Sequence, residues 1–347
     1  NTNDAWYPSY QTMPQGSNYN WLVNGVRPNY ASLPGIVSTL KTWETIETWD
    51  IGLDWAFFNN RLTGSFDYFV RWTYDMIGPA PELPSILGAT PPKINNADMK
   101  SYGFEFELGW RDQIGDFSYG AKFTLADDQQ KITDYPNENL KLSEAYYPGK
   151  KLGEIWGYET VGIAQTQEEM DAHLAKVDQS SLGSKWGAGD IMYADLDGNG
   201  VISNADNTAD NSGDRKVIGN STPRFKYGVT LDAAWKGIDF RVFFQGVAKR
   251  DYLMNGPYFW GANGVGMWQA TEHWDFWRPE GDPLGANTDA YYPRVIRNDS
   301  KNMRAQSRYL QNAAYCRIKN LQVGYTLPKA WTDKAGMSSV RVYISGD

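Results

Sequence analysis

At 347 residues the chain could hold two average domains or one large all-β unit, and aromatic residues make up 15% of it, with 15 Trp and 22 Tyr. A formal charge of −8 without any block of Lys and Arg makes nucleic acid a poor partner. Cys316 stands alone and the two histidines, His173 and His273, are far apart, which excludes an intrachain disulfide and gives no basis for a thiolate or histidine-rich metal site.

No run of 18 apolar residues is present, so no membrane-spanning helix is expected, whereas a β-barrel stays possible because its strands alternate. The chain begins without Met or a signal peptide, which suggests a fragment or processed piece. Gly and Pro recur every few residues and helix-favouring runs are scarce, which predicts a β-rich protein with long loops.

The predicted strands share one rule. In TWDIGLDWAF, Trp49, Ile51, Leu53, Trp55 and Phe57 oppose Asp50, Gly52 and Asp54. In RLTGSFDYFVRWTYD, Leu62, Phe66, Tyr68, Val70, Trp72 and Tyr74 oppose Thr63, Ser65, Asp67, Arg71 and Thr73. SYGFEFELGWRD sets Tyr102, Phe104, Phe106, Leu108 and Trp110 against Gly103, Glu105, Glu107, Gly109 and Arg111. DFSYGAKFTL and RFKYGVTLDAAW continue it, with Lys122 and Thr124, then Lys226, Thr230 and Asp232, on the polar side. Side chains alternate faces along a strand, so each segment separates an aromatic environment from a polar one. Either lipid or an ordinary soluble core satisfies that pattern.

Strand length and loop asymmetry favour lipid. The strands run about 10 to 14 residues, sufficient for a tilted bilayer crossing. Turns at Asn59–Asn60, Gln113–Gly115 and Lys236–Gly237 are short, whereas links at about 77–98, 128–222 and 248–308 are long, as in outer-membrane barrels. Trp49, Trp72 and Trp110 near strand ends fit an interfacial belt. In YCRIKNLQVGYTLP the phase changes between Ile318 and Leu321, which predicts a bulge near Lys319 and Asn320. VRVYISGD starts a further strand.

Within the longest loop, Thr166 and Glu169 have capping-box spacing, predicting a helix over about 167–176 that carries a solvated His173. DLDGNGVISNAD, 195–206, has the spacing of a calcium loop: Asp195, Asp197 and Asn199 at positions 1, 3 and 5, Gly200 at the turn, the Val201 carbonyl, Ser203 at 9 and Asp206 at 12. Asp210 and Asp214 are rival ligands, and a metal-free Asx-rich turn is the alternative. The expected role of a bound Ca2+ is structural. The last long loop carries Tyr258, Phe259, Trp260, Trp268, Trp274, Phe276 and Trp277 among Gly, Asn and Asp. These aromatics could stack on sugar rings, dock a partner protein, or hold the loop together.

Glu105 and Glu107 invite comparison with a glycosidase carboxylate pair, but neighbours on one exposed strand lack the two environments that would separate their pKa values. No nucleophile elbow, phosphate-cradling Gly loop or Cys and His pairing occurs, so no enzyme is expected.

In order, TWETIETWDIGLDWAFFNNRLTGSFDYFVRWTYDMI (42–77), NADMKSYGFEFELGW (96–110), GEIWGYETVGIAQTQEEMDA (153–172), GDIMYADLDGNGVI (189–202), DRKVIGNSTPRFKYGVTL (214–231), DFRVFFQGV (239–247) and YCRIKNLQVGYTLPKAW (315–331) resemble the C-terminal half of the barrel in SusC/RagA-like TonB-dependent transporters, the glycan and peptide importers of Bacteroidota. The resemblance covers most of the chain after residue 40. It implies an all-β fold, about nine strands of a 22-stranded transmembrane antiparallel barrel with long extracellular loops, across 1–347 and without the plug domain. It implies a bacterial outer-membrane location, contact with membrane lipid, a SusD-like surface lipoprotein as partner, a TonB complex reached through the missing N-terminal region, and a glycan or oligopeptide substrate. Asp50, Asp54, Asp67, Arg71, Glu105, Glu107, Lys122, Asp232, Asp239 and Arg241 then become lumen residues. An arc of this kind is expected to fold only beside the rest of its barrel. The rival class is a secreted, calcium-stabilised β-rich carbohydrate-binding protein, which would need no detergent.

Overall fold

The computed structural model describes all residues except 1–10, 12, 18–19, 33, 39–40, 81–85, 87–90, 262–270 and 297–298. The chain falls into two compact units. One holds residues 1–50, 69–102 and 129–151, and the other holds 51–68, 103–128 and 152–347.

Eight strands form one sheet: β1 (Thr45–Phe57), β2 (Leu62–Gly78), β3 (Ile94–Ile114), β4 (Phe117–Asp134), β5 (Arg224–Trp235), β6 (Ile238–Lys249), β7 (Tyr315–Thr326) and β8 (Arg341–Gly346). Their order in the sheet is their order in the sequence, with β1 and β8 at its two ends. Among the described residues the sheet holds eight strands, where the sequence implies about nine. β2, β3 and β4 have 17, 21 and 18 residues, longer than the alternating stretches alone predict. Their extensions are mixed segments such as INNADMK at the start of β3, where backbone pairing continues after the alternation stops.

In the second unit the register keeps the two faces separate. Asp232 of β5 lies opposite Gly120 of β4 and Arg241 of β6, and Thr230 lies between Lys122 and Phe243. On the other face Leu231 lies between Ala121 and Val242, and Val229 between Phe123 and Phe244. β7 preserves this division through the expected bulge: Phe243 faces Asn320, Phe244 faces Ile318, and Lys319 is the extra residue. Ile318 thereby returns to the same face as Leu321 and Val323, which resolves the phase change seen in the sequence.

Among the described residues the apolar face is largely uncovered, although Val242 is buried between its neighbours. Leu53, Trp235, Ile238, Phe240, Leu321, Val323 and Ile344 are all exposed. The buried hydrophobic cluster lies instead in the connections, where Tyr158, Ile163, Leu182, Ile191, Tyr193, Ile202, Trp277 and Ala290 pack together. Two small strand pairs frame it, Glu154–Tyr158 with Arg215–Asn220 and Thr160–Ile163 with Ile191–Tyr193. Beside it runs helix α1 (Gln167–Leu174), where the Glu169 N–H donates to Thr166 Oγ1 and the Glu169 carboxylate accepts from the Gln165 N–H at 2.6 Å. In the first unit, Asn95 Nδ2 donates to the carbonyls of Thr42 and Asp75, and Lys100 lies over the Trp72 ring.

The connections 79–93, 135–223 and 250–314 are long, and the turns at 58–61, 115–116 and 236–237 are short. Gly237 makes the last turn possible: its φ is +89°, and a Cβ there would sit 2.7 Å from the Thr326 carbonyl oxygen. Gly237→Ala is expected to lower stability by about 1–2 kcal/mol from the backbone conformation alone, read as a drop in the melting temperature of the full-length protein in detergent.

Candidate functional site

The polar face of the sheet collects the charged residues of successive strands. Lys122 Nζ reaches Glu107 at 2.7 Å and Lys226 Nζ reaches Asp128 at 2.6 Å. Asp239 Oδ1 accepts from Arg341 Nε at 3.0 Å, and Asp232 stands directly opposite Arg241. Asp67, Glu105 and Glu107 border one concavity of about 460 Å³ together with Thr124, Lys226 and Gln245. Asp50 and Asp54 are exposed on β1, and Arg71 Nε donates to Thr48 Oγ1 at 3.3 Å. Glu107 is thus held by Lys122 while Glu105 stays exposed on the same wall. The ion pairs Glu107–Lys122, Asp128–Lys226 and Asp239–Arg341 are partly solvated, so the individual worth of each is small, and they act with the exposed acids as a summed field.

In the acidic loop, Asp195 Oδ1 and Oδ2 accept from the N–H groups of Gly198 and Gly200 at 2.8 and 2.9 Å, which holds the carboxyl below its usual range. Asn199 Oδ1 turns to the Val201 N–H at 2.7 Å. The strand-like bridge to Asp178 uses the Gly200 carbonyl and the Ile202 N–H, not the carbonyl of Val201. The acids that converge are Asp195, Asp197 and Asp214, with one oxygen from each within 4.8 Å of the others. Asp206 is not among them, because residues 207–213 carry the chain away and its carboxylate accepts from Asn211 Nδ2 at 2.7 Å. Ser203 contributes its N–H to Asp214 Oδ2 at 2.7 Å, while its hydroxyl accepts from the Ala205 N–H. Asp214 is fully buried. Burial pushes its carboxyl above the usual range against the pull of the Ser203 and Leu196 N–H groups, and the charges of Asp197 and Asp195 add to that push.

A second charged centre left no sequence signal. Asp190 and Lys301 are both buried, and their side chains meet at 2.9 Å. Asp190 also accepts from Arg294 Nε and Nη2 at 2.7 and 2.6 Å, from Asn302 Nδ2 and from the Gly187 N–H. Lys301 Nζ donates to the carbonyls of Ser184 and Lys185 and lies 4.7 Å from the Trp186 ring centre. Burial alone would raise the Asp190 carboxyl, but the bonds from Arg294, Asn302 and Lys301 outweigh it and hold the group below the usual carboxylate range. This latch joins the two longest connections, and only the folded chain brings its members together.

His173 is half-buried rather than solvated, because Gln179 Oε1 lies 3.2 Å from its Nε2 and the end of α1 packs inward. Burial, against that hydrogen bond, lowers its pKa. The aromatic loop divides into two groups. Phe259 and Trp277 are buried, and Phe259 and Trp260 pack with Tyr309, whose ring also meets Tyr291 and Tyr292. Phe276 is half-buried with the Arg278 guanidinium 4.7 Å from its ring centre. Tyr258 is 85% exposed and Trp274 is 55% exposed. Trp268 lies outside the described residues. Holding the loop together is therefore the role of Phe259 and Trp277, and among the described members of this set Tyr258 and Trp274 offer large aromatic surface outward.

Asp190→Ala would leave the buried Lys301 ammonium with only the more distant Asp299 carboxylate, 3.9 Å away, at a cost of about 3–5 kcal/mol. Faster proteolysis within 152–314 of the full-length protein is the expected readout. In the unsubstituted protein the depressed carboxyl makes this contribution complete above about pH 4 and lost as pH falls further, through the folded value, so protection should fade on acidification and the variant should show no such step.

Comparison with known proteins matches residues 5–345 to the family described as TonB dependent receptor-like, beta-barrel. TonB-dependent receptor P3 of Formosa agariphila is 30% identical over 97% of this chain and 32% of its own length. TonB-dependent receptor SusC of Bacteroides thetaiotaomicron is 21% identical over 83% of this chain and 26% of its own. The solved structure of the RagAB peptide transporter superposes with a TM-score of 0.65 at 22% identity, covering 96% of this chain and 34% of that one. The chain thus spans about a third of the length of the proteins it matches. A sheet of sequence-adjacent strands, apolar on one face and charged on the other, is what such a β-barrel requires of its wall, and the chain belongs to the TonB-dependent receptor β-barrel family.

Proposed function

We propose that this chain supplies wall, lumen surface and extracellular loops to an outer-membrane active importer that takes up glycans or oligopeptides together with a SusD-like surface lipoprotein, energised through TonB. The observation that carries this reading is the register of β4 to β8, which keeps one face apolar and uncovered and the other charged. An exposed apolar face of that extent is stable against hydrocarbon and unstable against water. The apolar face meets lipid, the charged face meets the lumen, and the three long connections lie on the extracellular side. The chain carries wall and loops without bond-making chemistry of its own, since the polar-face acids are solvated or paired with neighbouring cations.

The acidic loop is assigned a structural calcium ion held by Asp195, Asp197 and Asp214, with Asn199, Val201 and Ser203 close by and Asp206 outside the set. Three carboxylates this near one another, one of them buried, repel unless a cation or a proton intervenes. Calcium should raise the melting temperature of the full-length receptor, and Asp195→Ala and Asp214→Asn should abolish that rise while Asp206→Asn keeps it. Because the Asp214 carboxyl is raised, its charge costs stability as pH rises through that value, so the calcium effect should grow from acidic to neutral pH. Identical melting of Asp195→Ala and the unsubstituted protein in both calcium and chelator would remove the ion.

The importer reading is tested by affinity capture of the full-length receptor from detergent-solubilised native membranes, with identification of co-purifying proteins. Stoichiometric recovery of a surface lipoprotein is expected. Recovery of the receptor only from the soluble fraction would mean that the aromatic face meets a protein core, and that Tyr258 and Trp274 should be assayed for sugar binding.

A further inference from the structure

At the short-turn end, three connections need only residues 58–61, 115–116 and 236–237, but β7 and β8 are joined by 327–340. This segment is folded, not slack. A helical turn at Lys329–Thr332 runs into a 3-10 turn at Asp333–Ala335 and ends at Gly336 with φ +68°. The Leu327 N–H donates to the Val340 carbonyl at 2.9 Å, and the Met337 N–H to the Thr332 carbonyl at 3.0 Å. Thr332 is buried beneath, its hydroxyl donating to the Lys329 carbonyl. Trp331 is 61% exposed, and Lys329, Lys334 and Met337 are exposed around it.

The β5–β6 turn lies alongside, since the Thr326 N–H donates to the Gly237 carbonyl at 2.7 Å. There the Lys236 ammonium stands 5.3 Å from the ring centre of the exposed Trp235. Trp235, Ile238, Tyr325 and Val342 are register neighbours on the apolar face, so the same uncovered face runs up to this corner. Arg341 is engaged by Asp239, which leaves Lys236, Lys329 and Lys334 as the outward cations and Asp333 as the acid within the connection.

We propose that this corner seats an anionic phospholipid: the apolar row takes the acyl chains, Trp331 and Trp235 lie at the headgroup level, and the three lysines bind the phosphate. The inference rests on the outer-membrane reading above, in which short turns meet the phospholipid leaflet. Two features select lipid over a protein occupant. The apolar row is continuous with the face that the bilayer covers, and an amphipathic aromatic beside long cationic stems is the composition that settles at a membrane interface. Excess positive charge at this corner complements an anionic headgroup.

The test uses the full-length receptor, purified in detergent, delipidated and titrated with phosphatidylglycerol or phosphatidylcholine, with bound lipid counted by native mass spectrometry. Phosphatidylglycerol should bind in preference. Replacing Lys236, Lys329 and Lys334 by Gln should weaken it by about fivefold per lysine without changing phosphatidylcholine, replacing the same three by Arg should preserve it, and Trp331→Ala should weaken both lipids. Lys176→Gln, on the long-loop side, should change nothing. Unchanged phosphatidylglycerol binding in the triple Gln variant, equal loss with Lys176→Gln, or loss of a periplasmic protein in place of lipid each overturns the proposal. A receptor that is membrane-embedded with unaltered lipid binding overturns this site alone, whereas one recovered only from the soluble fraction overturns the importer reading with it.

Discussion

The constraint on which the rest depends is that, among the described residues, no second layer covers either face of β5 to β8. A sheet of a soluble protein buries one face against a second layer, and most of its stability comes from that burial. Here neither face of β5 to β8 gains such a layer among the described residues, so the backbone ladder and the choice of solvent for each face must hold it. One consequence is strict alternation. A single-residue slip in β5 would move Leu231 and Val229 to the charged side and Asp232 and Thr230 to the apolar one. The bulge at Lys319 absorbs such a slip within one strand and so preserves both faces across β7.

A sheet without a second layer cannot position long loops by packing, and the loops carry their own core for that reason. The cluster around Tyr158, Ile191, Tyr193, Ile202 and Trp277 is of the kind found in a small soluble domain. Its two contributing connections are separated by the β5–β6 hairpin, and the Asp190–Lys301–Arg294 latch ties them across it. A buried ion pair is weak as a source of stability but demanding in geometry, since any misplacement leaves a charge without its partner. That property suits a joint whose task is to fix two loops in one arrangement.

How much of this the sequence revealed follows from range. Alternation is local, so WDIGLDWAF, FEFELGW and FKYGVTLDAAW disclosed the sheet, its two environments and the residues on each side. The Thr166 to Glu169 cap is local as well and forms as expected; the Asp195 to Asp197 spacing is local too and brings those two acids close, while Asn199 Oδ1 turns to the Val201 N–H. What failed was long-range. Asp214 enters the acidic cluster because residues 207–213 loop out and return, so local spacing left it a rival to Asp206 and could not choose between them. Asp190 and Lys301 are more than a hundred residues apart and resemble ordinary surface charges in isolation. Phe259 and Tyr258 are adjacent, yet one is buried and the other exposed, a distinction that composition cannot carry.

The acidic loop and the latch are one connected structure. Asp178 pairs with Gly200 and Ile202 at the loop, and the next residue, Gln179, accepts from the Tyr193 N–H and donates to the Ile191 carbonyl. Tyr193 in turn donates its hydroxyl to the Lys301 carbonyl at 2.7 Å, and Asn302 Oδ1 receives the Ile191 N–H. Gln179, Ile191, Tyr193, Ile202, Lys301 and Asn302 on that path are buried, so each must keep its partner or leave a polar group unpaired, whereas Asp178 is exposed and Gly200 half-buried. Charge placed among Asp195, Asp197 and Asp214 therefore acts on a segment that is two residues from the latch's own scaffold. The two connections that share this path are set as a unit, and the sheet, apolar on one face and charged on the other, is left free of that task.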